Sequence, residues 1–252
     1  MKALIDGDIV CFRCATSMGE ETEIGILHFR ITEMMDQILA KTGANSFMAF
    51  LSGEGNFRRK IYPEYKANRP QEKPKWWKEA REFLITEFNA YIVDGQEADD
   101  ALGINQKEHT IICSIDKDLL QIPGKHFNFV KEEFYDIDYY EGLKHFYKQC
   151  LTGDRADNIK GVAGIGDKRA DKLLAECFTE QELFNVVRET YGNDEEFLMN
   201  ARCLWIRRKE GDDFKHRFER LVNETTVSEE QRETTTESGE GKDSESVPTT
   251  NS

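Results

Sequence analysis

The chain has 252 residues, 38% of them apolar and 16 of them Phe, enough for one large core or a core with a satellite. No apolar run nears the roughly 18 residues of a membrane helix, and the N-terminus MKALIDGD turns acidic after three apolar residues, so neither insertion nor secretion is expected. The net charge of −14 argues at first against a polyanionic partner, but its distribution argues otherwise. From Asn223 onward eight acids stand against Arg232 and Lys242, which makes an acidic tail of net −6 with almost no large apolar residue, expected to be disordered. Without it, residues 1–222 carry −8. Residues 58–81 carry nine Lys or Arg against Glu64, Glu72 and Glu79, a net +6. The six cysteines (11, 14, 113, 150, 177 and 203) form no paired framework and read as buried thiols of a cytoplasmic protein; Cys11-x-x-Cys14 lacks the partners a zinc site needs.

In chain order, residues 3–5 read as a short strand ending at Asp6, residues 24–41 as a helix, 46–51 as a strand and 76–88 as a helix. A strand follows at 91–93, a helix from about Glu97, a strand at 109–113, a short helix near Leu119 and a strand at 127–130. Residues 137–221 are almost wholly helical in pattern. Alternation of this kind predicts an α/β fold with a mostly parallel central sheet and helices on both faces. The expected organisation is an α/β core over 1–136, including a basic segment at about 56–81, then a helical region over 137–222, then the acidic tail over 223–252.

In an open parallel sheet, ligand sites lie beyond the carboxyl ends of the strands. Asp6 and Asp8 follow the first strand; Glu97, Asp99 and Asp100 follow the strand at 91–93; Asp116 and Asp118 follow the strand at 109–113. Asp154 and Asp157, three apart, would share a face of one helical turn. Each group alone reads equally well as a helix cap or a solvated turn. Together, nine carboxylates with one focus repel each other unless cations neutralise them, and oxygen-only donors suit Mg²⁺ or Mn²⁺. Two such ions form the clamp used for in-line phosphodiester hydrolysis.

Two further stretches point to nucleic acid. In GVAGIGDKRADKLL, residues 161–174, Gly161, Gly164 and Gly166 predict a tight hairpin before a helix with Ala170, Leu173 and Leu174 inside; its amides, with Lys168, Arg169 and Lys172, would grip phosphates without reading bases. A plain interhelical turn is the competing reading. In residues 58–81, Pro63, Pro70 and Pro74 exclude one long helix, so a partly ordered loop is expected. There Tyr62, Tyr65, Trp76 and Trp77 interleave with cations, as suits single-stranded nucleic acid. Trp76 and Trp77 are adjacent, so at most one is expected to face a helix interior.

The ordered motifs LIDGD, NFRRKIYPEYKANRP, EADD, SIDKDL and LTGDRADNIKGVAGIGDKRADKLL resemble those of the 5′-nuclease superfamily, which comprises flap endonucleases, the 5′-nuclease domain of bacterial DNA polymerase I and stand-alone phage 5′–3′ exonucleases. The resemblance spans roughly residues 1 to 210 and is nearest the phage branch. It implies a PIN-like core, a helical arch and a helix-hairpin-helix-type motif at about 153–176. It also implies two Mg²⁺ ions, replaceable by Mn²⁺, and allows a K⁺ ion at the glycine hairpin. Asp6, Glu97, Asp99 and Asp116 would hold one ion and Asp118, Asp154 and Asp157 the other, with Asp116 shared and Asp100 acting through water. Lys66 would steady the scissile phosphate beside Asp99, Asp116 and Asp118, and Tyr65 would stack on an unpaired base. Arg13, Arg58, Arg69, Gly164, Gly166, Lys168 and Arg169 would contact DNA.

The partner implied is DNA with a free 5′ end, flap or nick, extending to RNA–DNA hybrids. A monomer is expected, with a replication protein as a further partner and the host bacterial cytoplasm as its place if the chain is phage-encoded. One position departs from the pattern. Ser52 stands where relatives carry an aspartate ligand, and Glu54 or Asp8 is the candidate substitute, Asp8 because strand alternation would point it the way of Asp6. If neither compensates, the rival reading is a structure-selective DNA-binding module with impaired catalysis.

Overall fold

A computed structural model of the chain describes residues 1–20, 22–69 and 72–237. Six strands, β1 (Lys2–Asp6), β2 (Ser46–Ser52), β3 (Tyr91–Val93), β4 (Thr110–Cys113), β5 (Gly124–Asn128) and β6 (Glu133–Ile137), form one sheet in the order β3-β2-β1-β4-β5-β6. The first five are parallel, and β6 closes one edge antiparallel to β5. That edge differs from expectation: the strand placed at 127–130 is centred three residues earlier, and β6 was not foreseen. Its residues, EFYDI, are mostly exposed, with none fully buried.

The centre of the sheet is buried on both sides because strand residues alternate faces. Ala3 and Ile5 of β1, with Ile111 and Cys113 of β4, pack under α1 (Gly7–Ser17), α2 (Ile24–Thr42) and part of α4 (Trp77–Phe88). Leu4 and Ile112 face the other way, against Ala98 and Leu102 of α5 (Ala98–Asn105) and Leu119 of a short 3₁₀ turn, Lys117–Gln121. Trp76 and Trp77 both pack partly buried against the first core, so one does not exclude the other; Trp76 lies just before the helix rather than in it.

Helix α1 was not expected, and it changes the reading of Asp8. Asp6 ends β1 and its Oδ1 accepts the Ile9 amide at 3.1 Å, an N-cap that turns the chain directly into a helix. Gly7 is required there: a Cβ would meet the Phe50 carbonyl oxygen at 2.6 Å. Asp8 therefore sits in the first helical turn, not one pleat beyond Asp6.

Between β2 and α4 the basic segment forms α3 (Arg58–Ile61) and a run of turns; Pro70 and Gln71 lie outside the described residues. Beyond β6 come α6 (Tyr139–Thr152), a hairpin of β7 (Gly153–Asp154) and β8 (Ile159–Lys160), then α7 (Asp167–Leu173), α8 (Glu180–Tyr191) and α9 (Asp194–Leu204). Phe146, Tyr147, Phe184, Phe197, Trp205 and Phe214 interlock in a third core, with ring centroids 4.9 Å apart for Phe146 against both Trp205 and Phe214. Met1–Phe214 form one compact unit.

Residues from Lys215 form a second unit. There α10 (Phe214–Glu237) continues past Asn223, where a disordered tail was expected. Its pairs Lys215–Glu219 and Arg220–Glu224 follow i, i+4 spacing, and Glu, Gln and Arg favour helix. The remainder of the expected tail, residues 238–252, lies outside the described residues.

Within the first unit one ion pair ties the segment after α9 to the sheet. Arg58, 2% exposed, meets Asp100, fully buried, through Nη1–Oδ2 at 2.6 Å and Nη2–Oδ1 at 2.9 Å. Its Nε donates to the Cys203 carbonyl and Nη2 also to that of Trp205, both at 2.8 Å. Asp100 further accepts the amides of Glu97 (3.0 Å) and Arg207 (3.1 Å). Arg58, expected to contact phosphate, is thus buried among protein groups, and Asp100, expected to act through water, is held by Arg58 and two amides. Removing one partner strands a buried charge, so Arg58→Met is expected to lower unfolding stability by about 3–5 kcal/mol, read by urea denaturation. A variant of native stability that had merely lost DNA affinity would reverse this assignment.

Candidate active site

The carboxyl ends of β1, β2, β3 and β4 open on one edge of the sheet, and the acids meet there. Asp6 leaves β1, Glu97 and Asp99 open α5 after β3, and Asp116 and Asp118 enter the 3₁₀ turn after β4. Asp154 and Asp157 come from the β7–β8 hairpin, not from the helical turn their spacing suggested, because Gly153 breaks α6 with φ of 69°. Asp154 Oδ1 then accepts the Ala156 amide at 2.7 Å, shaping the hairpin turn.

The charges divide into two sets. Glu97 and Asp157 are matched by cations and hydroxyls. The Tyr65 hydroxyl lies 2.7 Å from both Glu97 Oε2 and Asp157 Oδ2, Lys66 Nζ bonds Glu97 and stands 3.5 Å from Asp157, and Arg69 bonds Asp157. Burial alone would raise the Glu97 pKa, but Lys66 and Arg58 outweigh it and hold it near 2. The same loop is stitched to the hairpin through backbone carbonyls: Lys66 N–H donates to that of Asp157 (2.9 Å), Asn68 Nδ2 to that of Arg155 (2.6 Å) and Asn158 Nδ2 to that of Glu64 (2.9 Å). Tyr65 is 2% exposed, so it is not placed to stack on a base.

Asp6, Asp99, Asp116 and Asp118 have no ion-pair partner among the described residues. Burial, then repulsion from Asp8, lifts Asp6 to about 7. Asp99 is pushed well above its usual range by burial and by Asp6, Asp116 and Glu97; Asp116 is raised by burial. Asp118 is raised to about 8 by burial, Asp116 and Asp154, and its Oδ1 is buried without a hydrogen-bond partner. Ser114, unnoticed in the sequence though it opens SIDKD, orients this set: its hydroxyl donates to Asp6 Oδ2 at 2.7 Å and accepts the Asp116 amide at 3.0 Å.

Donor chemistry and charge fit a hard divalent cation: carboxylate oxygens only, several raised in proton affinity by one another, one buried oxygen unpartnered. As placed, no three His, Cys, Asp or Glu side chains among the described residues stand close enough to enclose an ion; Lys66 and Arg69 lie between the loop and two of the candidates. Asp8 is not part of the set. Its Oδ1 pairs with Arg81 Nη1 at 2.6 Å and its Oδ2 accepts the Ser52 amide at 2.9 Å. Glu54 is exposed in a turn.

The remaining candidates lie outward. Gly164 adopts φ of 77° and Gly166 precedes α7, forming the expected tight turn, with Lys168 and Arg169 exposed beside it. Arg13, on α1, lines a cavity of about 260 Å³ with Gln37, Lys41, Phe127 and Glu132. Lys73, Trp77, Arg81 and Ile85 line an open groove of about 490 Å³, with Lys73 5.0 Å from the Trp77 ring centroid.

A family model described as the 5′–3′ exonuclease N-terminal resolvase-like domain matches residues 2–148. The chain is 30% identical over 217 residues to a DNA polymerase I of Bacillus caldotenax, covering 75% of this chain and 25% of that one. It is 32% identical over 165 residues to a 5′–3′ exonuclease of Mycoplasmopsis pulmonis, covering 58% and 56%. With flap endonuclease Xni of Shewanella frigidimarina it shares 27% identity over 204 residues, covering 72% and 78%. It thus spans between a quarter and just over half of the length of the first two. Bacteriophage T5 D15 protein co-crystallised with metal ions has the same fold, with a TM-score of 0.66 at 20% identity over 81% of this chain and 88% of that one. A T5 D15 flap endonuclease complex with DNA and metal ions gives 0.63 at 19% identity over 81% and 88%.

The unpaired carboxylates set a pH dependence. A carboxyl whose folded pKa exceeds its unfolded one retains a proton that the unfolded chain releases, so stability falls as pH rises toward the folded value. In EDTA, the melting temperature is expected to fall as pH rises from about 5.5 to 8, while Asp6 and Asp118 still hold protons that the unfolded chain has released, and to level off once both are ionised. Glu97, held near 2, is ionised throughout this window and adds no slope. Mg²⁺ or Asp118→Asn should flatten the fall in a thermal melt series; an unchanged slope in both would contradict the charge assignment.

Proposed function

Since this chain belongs to the 5′–3′ exonuclease family, we propose that it is a divalent-metal-dependent 5′–3′ exonuclease or flap-type nuclease that hydrolyses DNA phosphodiesters without base specificity. The observation that carries this reading is the set of acids without an ion pair among the described residues, Asp6, Asp99, Asp116 and Asp118, gathered at the carboxyl edge of the sheet with one buried oxygen unpartnered. Asp6, Glu97, Asp99 and Asp116 are the residues to hold one Mg²⁺ or Mn²⁺ ion, and Asp118, Asp154 and Asp157 the other. Bound there, the ions supply neutralisation of the scissile phosphate and a water acidified enough to attack near neutral pH.

The chain's own groups do the rest. Ser114 fixes Asp6 and Asp116 in relative orientation. Lys66, held by Glu97 in the absence of substrate, turns its ammonium to the phosphate and offsets charge developing on its oxygens. Arg69, half exposed, continues that positive path outward. Lys73, Lys78 and Trp77 line the groove beside it, where a charged backbone and a stacked base both find partners. The Gly164–Gly166 turn with Lys168 and Arg169 grips the duplex by its phosphates, which every sequence offers. Primer removal or recombination during phage replication is the setting we favour, with RNA–DNA hybrids as a further substrate.

A 5′-end-labelled duplex is expected to be cut only with Mg²⁺ or Mn²⁺ present, and digestion in excess EDTA would refute the proposal. Asp118→Asn should slow cleavage by about 10³-fold or more, since cation-borne stabilisation is worth several kcal/mol at 1.36 kcal/mol per decade. DNA affinity, read by anisotropy, should stay near that of the parent. Lys66→Ala should lower the single-turnover rate more than the affinity.

A further inference from the structure

We infer that Ser52 is a positioning residue for the cation-binding acids, holding the start of α5 through its hydroxyl rather than contributing a ligand; the inference rests on the nuclease reading above. Ser52 is the last residue of β2, in register with Val93 of β3. Its amide, carbonyl and hydroxyl oxygen are each engaged. Its amide donates to Asp8 Oδ2 at 2.9 Å, its carbonyl accepts Arg81 Nη2 at 2.8 Å, and its Oγ accepts the Ala98 amide at 2.9 Å.

Ala98 lies between Glu97 and Asp99, and its amide is one of the donors that a helix start leaves without an internal partner. Glu97 and Asp100 form the helix's own capping box, but the group that meets the Ala98 amide is not on the helix. It comes from another strand, which fixes the helix start to the sheet. Asp100, in the same turn, is tied to Arg58, so the turn carrying Glu97 and Asp99 is held from two sides. Behind Ser52, the 2.6 Å Asp8–Arg81 pair locks the strand end to α1 and α4. An aspartate in place of Ser52 would add one more anion to a site where Asp6 and Asp99 already lack ion pairs. The serine meets the same amide with a neutral oxygen.

The test reads cation binding directly, without DNA. Free Mn²⁺ is measured by electron paramagnetic resonance while it is titrated into the full chain and into Ser52→Ala, Ser52→Thr and Ser52→Val. Thr and Val are isosteric and differ in the hydroxyl, so they separate the hydrogen bond from packing if Ser52→Ala folds poorly. Ser52→Val and Ser52→Ala should raise the Mn²⁺ Kd about 10-fold, and Ser52→Thr should stay within about two-fold of the parent, the scale seen when groups orienting metal ligands are removed. Equal affinities for Thr and Val would overturn the inference while leaving the nuclease reading intact. A parent chain that binds no Mn²⁺ would overturn that reading, and this inference with it.

Discussion

Like charge crowded at the end of a parallel sheet is the constraint from which the rest follows. The topology puts β1 between β2 and β4, so the residues following β1, β2, β3 and β4 share one edge, and most of them are acids. The fold meets the repulsion differently at each position. Asp100 is neutralised by Arg58 deep inside, Asp8 by Arg81, and Glu97 and Asp157 by Lys66 and Arg69. Asp6, Asp99, Asp116 and Asp118 are left with hydroxyls, amides and each other, which is why their proton affinities rise while that of Glu97 falls.

The cations that settle these charges also assemble the molecule. Arg58 joins the start of the basic segment to α5 and to the strand-like run after α9, three stretches far apart in sequence. Lys66 takes a left-handed backbone, φ of 58°, a conformation that costs a residue other than glycine about 1–2 kcal/mol. Its amide and ammonium both reach the acids of the site, and these contacts offset that cost. The loop from Glu64 to Arg69 is therefore set by the hairpin and Glu97 more than by its own sequence. A ligand that competes for Glu97 or Asp157 would release its side-chain anchors, which couples occupancy of the site to the position of the loop.

Particular residues show where reading the chain succeeds. The apolar runs of β1 and β4 mark buried strands because both faces are covered, and the periodicity of α2 and α4 marks their inner faces. Helix α1 escaped because its residues Val10, Cys11, Cys14 and Ala15 directly continue an apolar strand, with only Gly7 and the Asp6 cap to announce the change. β6 escaped because an edge strand needs little burial. Within the basic segment, charge and aromatic content suggested solvent and substrate for every residue except one of Trp76 and Trp77. Burial divided them, taking Arg58 and Tyr65 inside and leaving Arg69 half exposed.

Composition and order alone thus determined the α/β class, the position of the acids after strands and the glycine turn, since all three rest on local spacing that the backbone cannot evade. Which acids stay unpaired, which cation answers which carboxylate, and that Ser52 meets the start of a helix four elements further on were decided only by tertiary structure. Those pairings join residues 31 to 91 positions apart. No local pattern encodes a distance that only the folded chain closes.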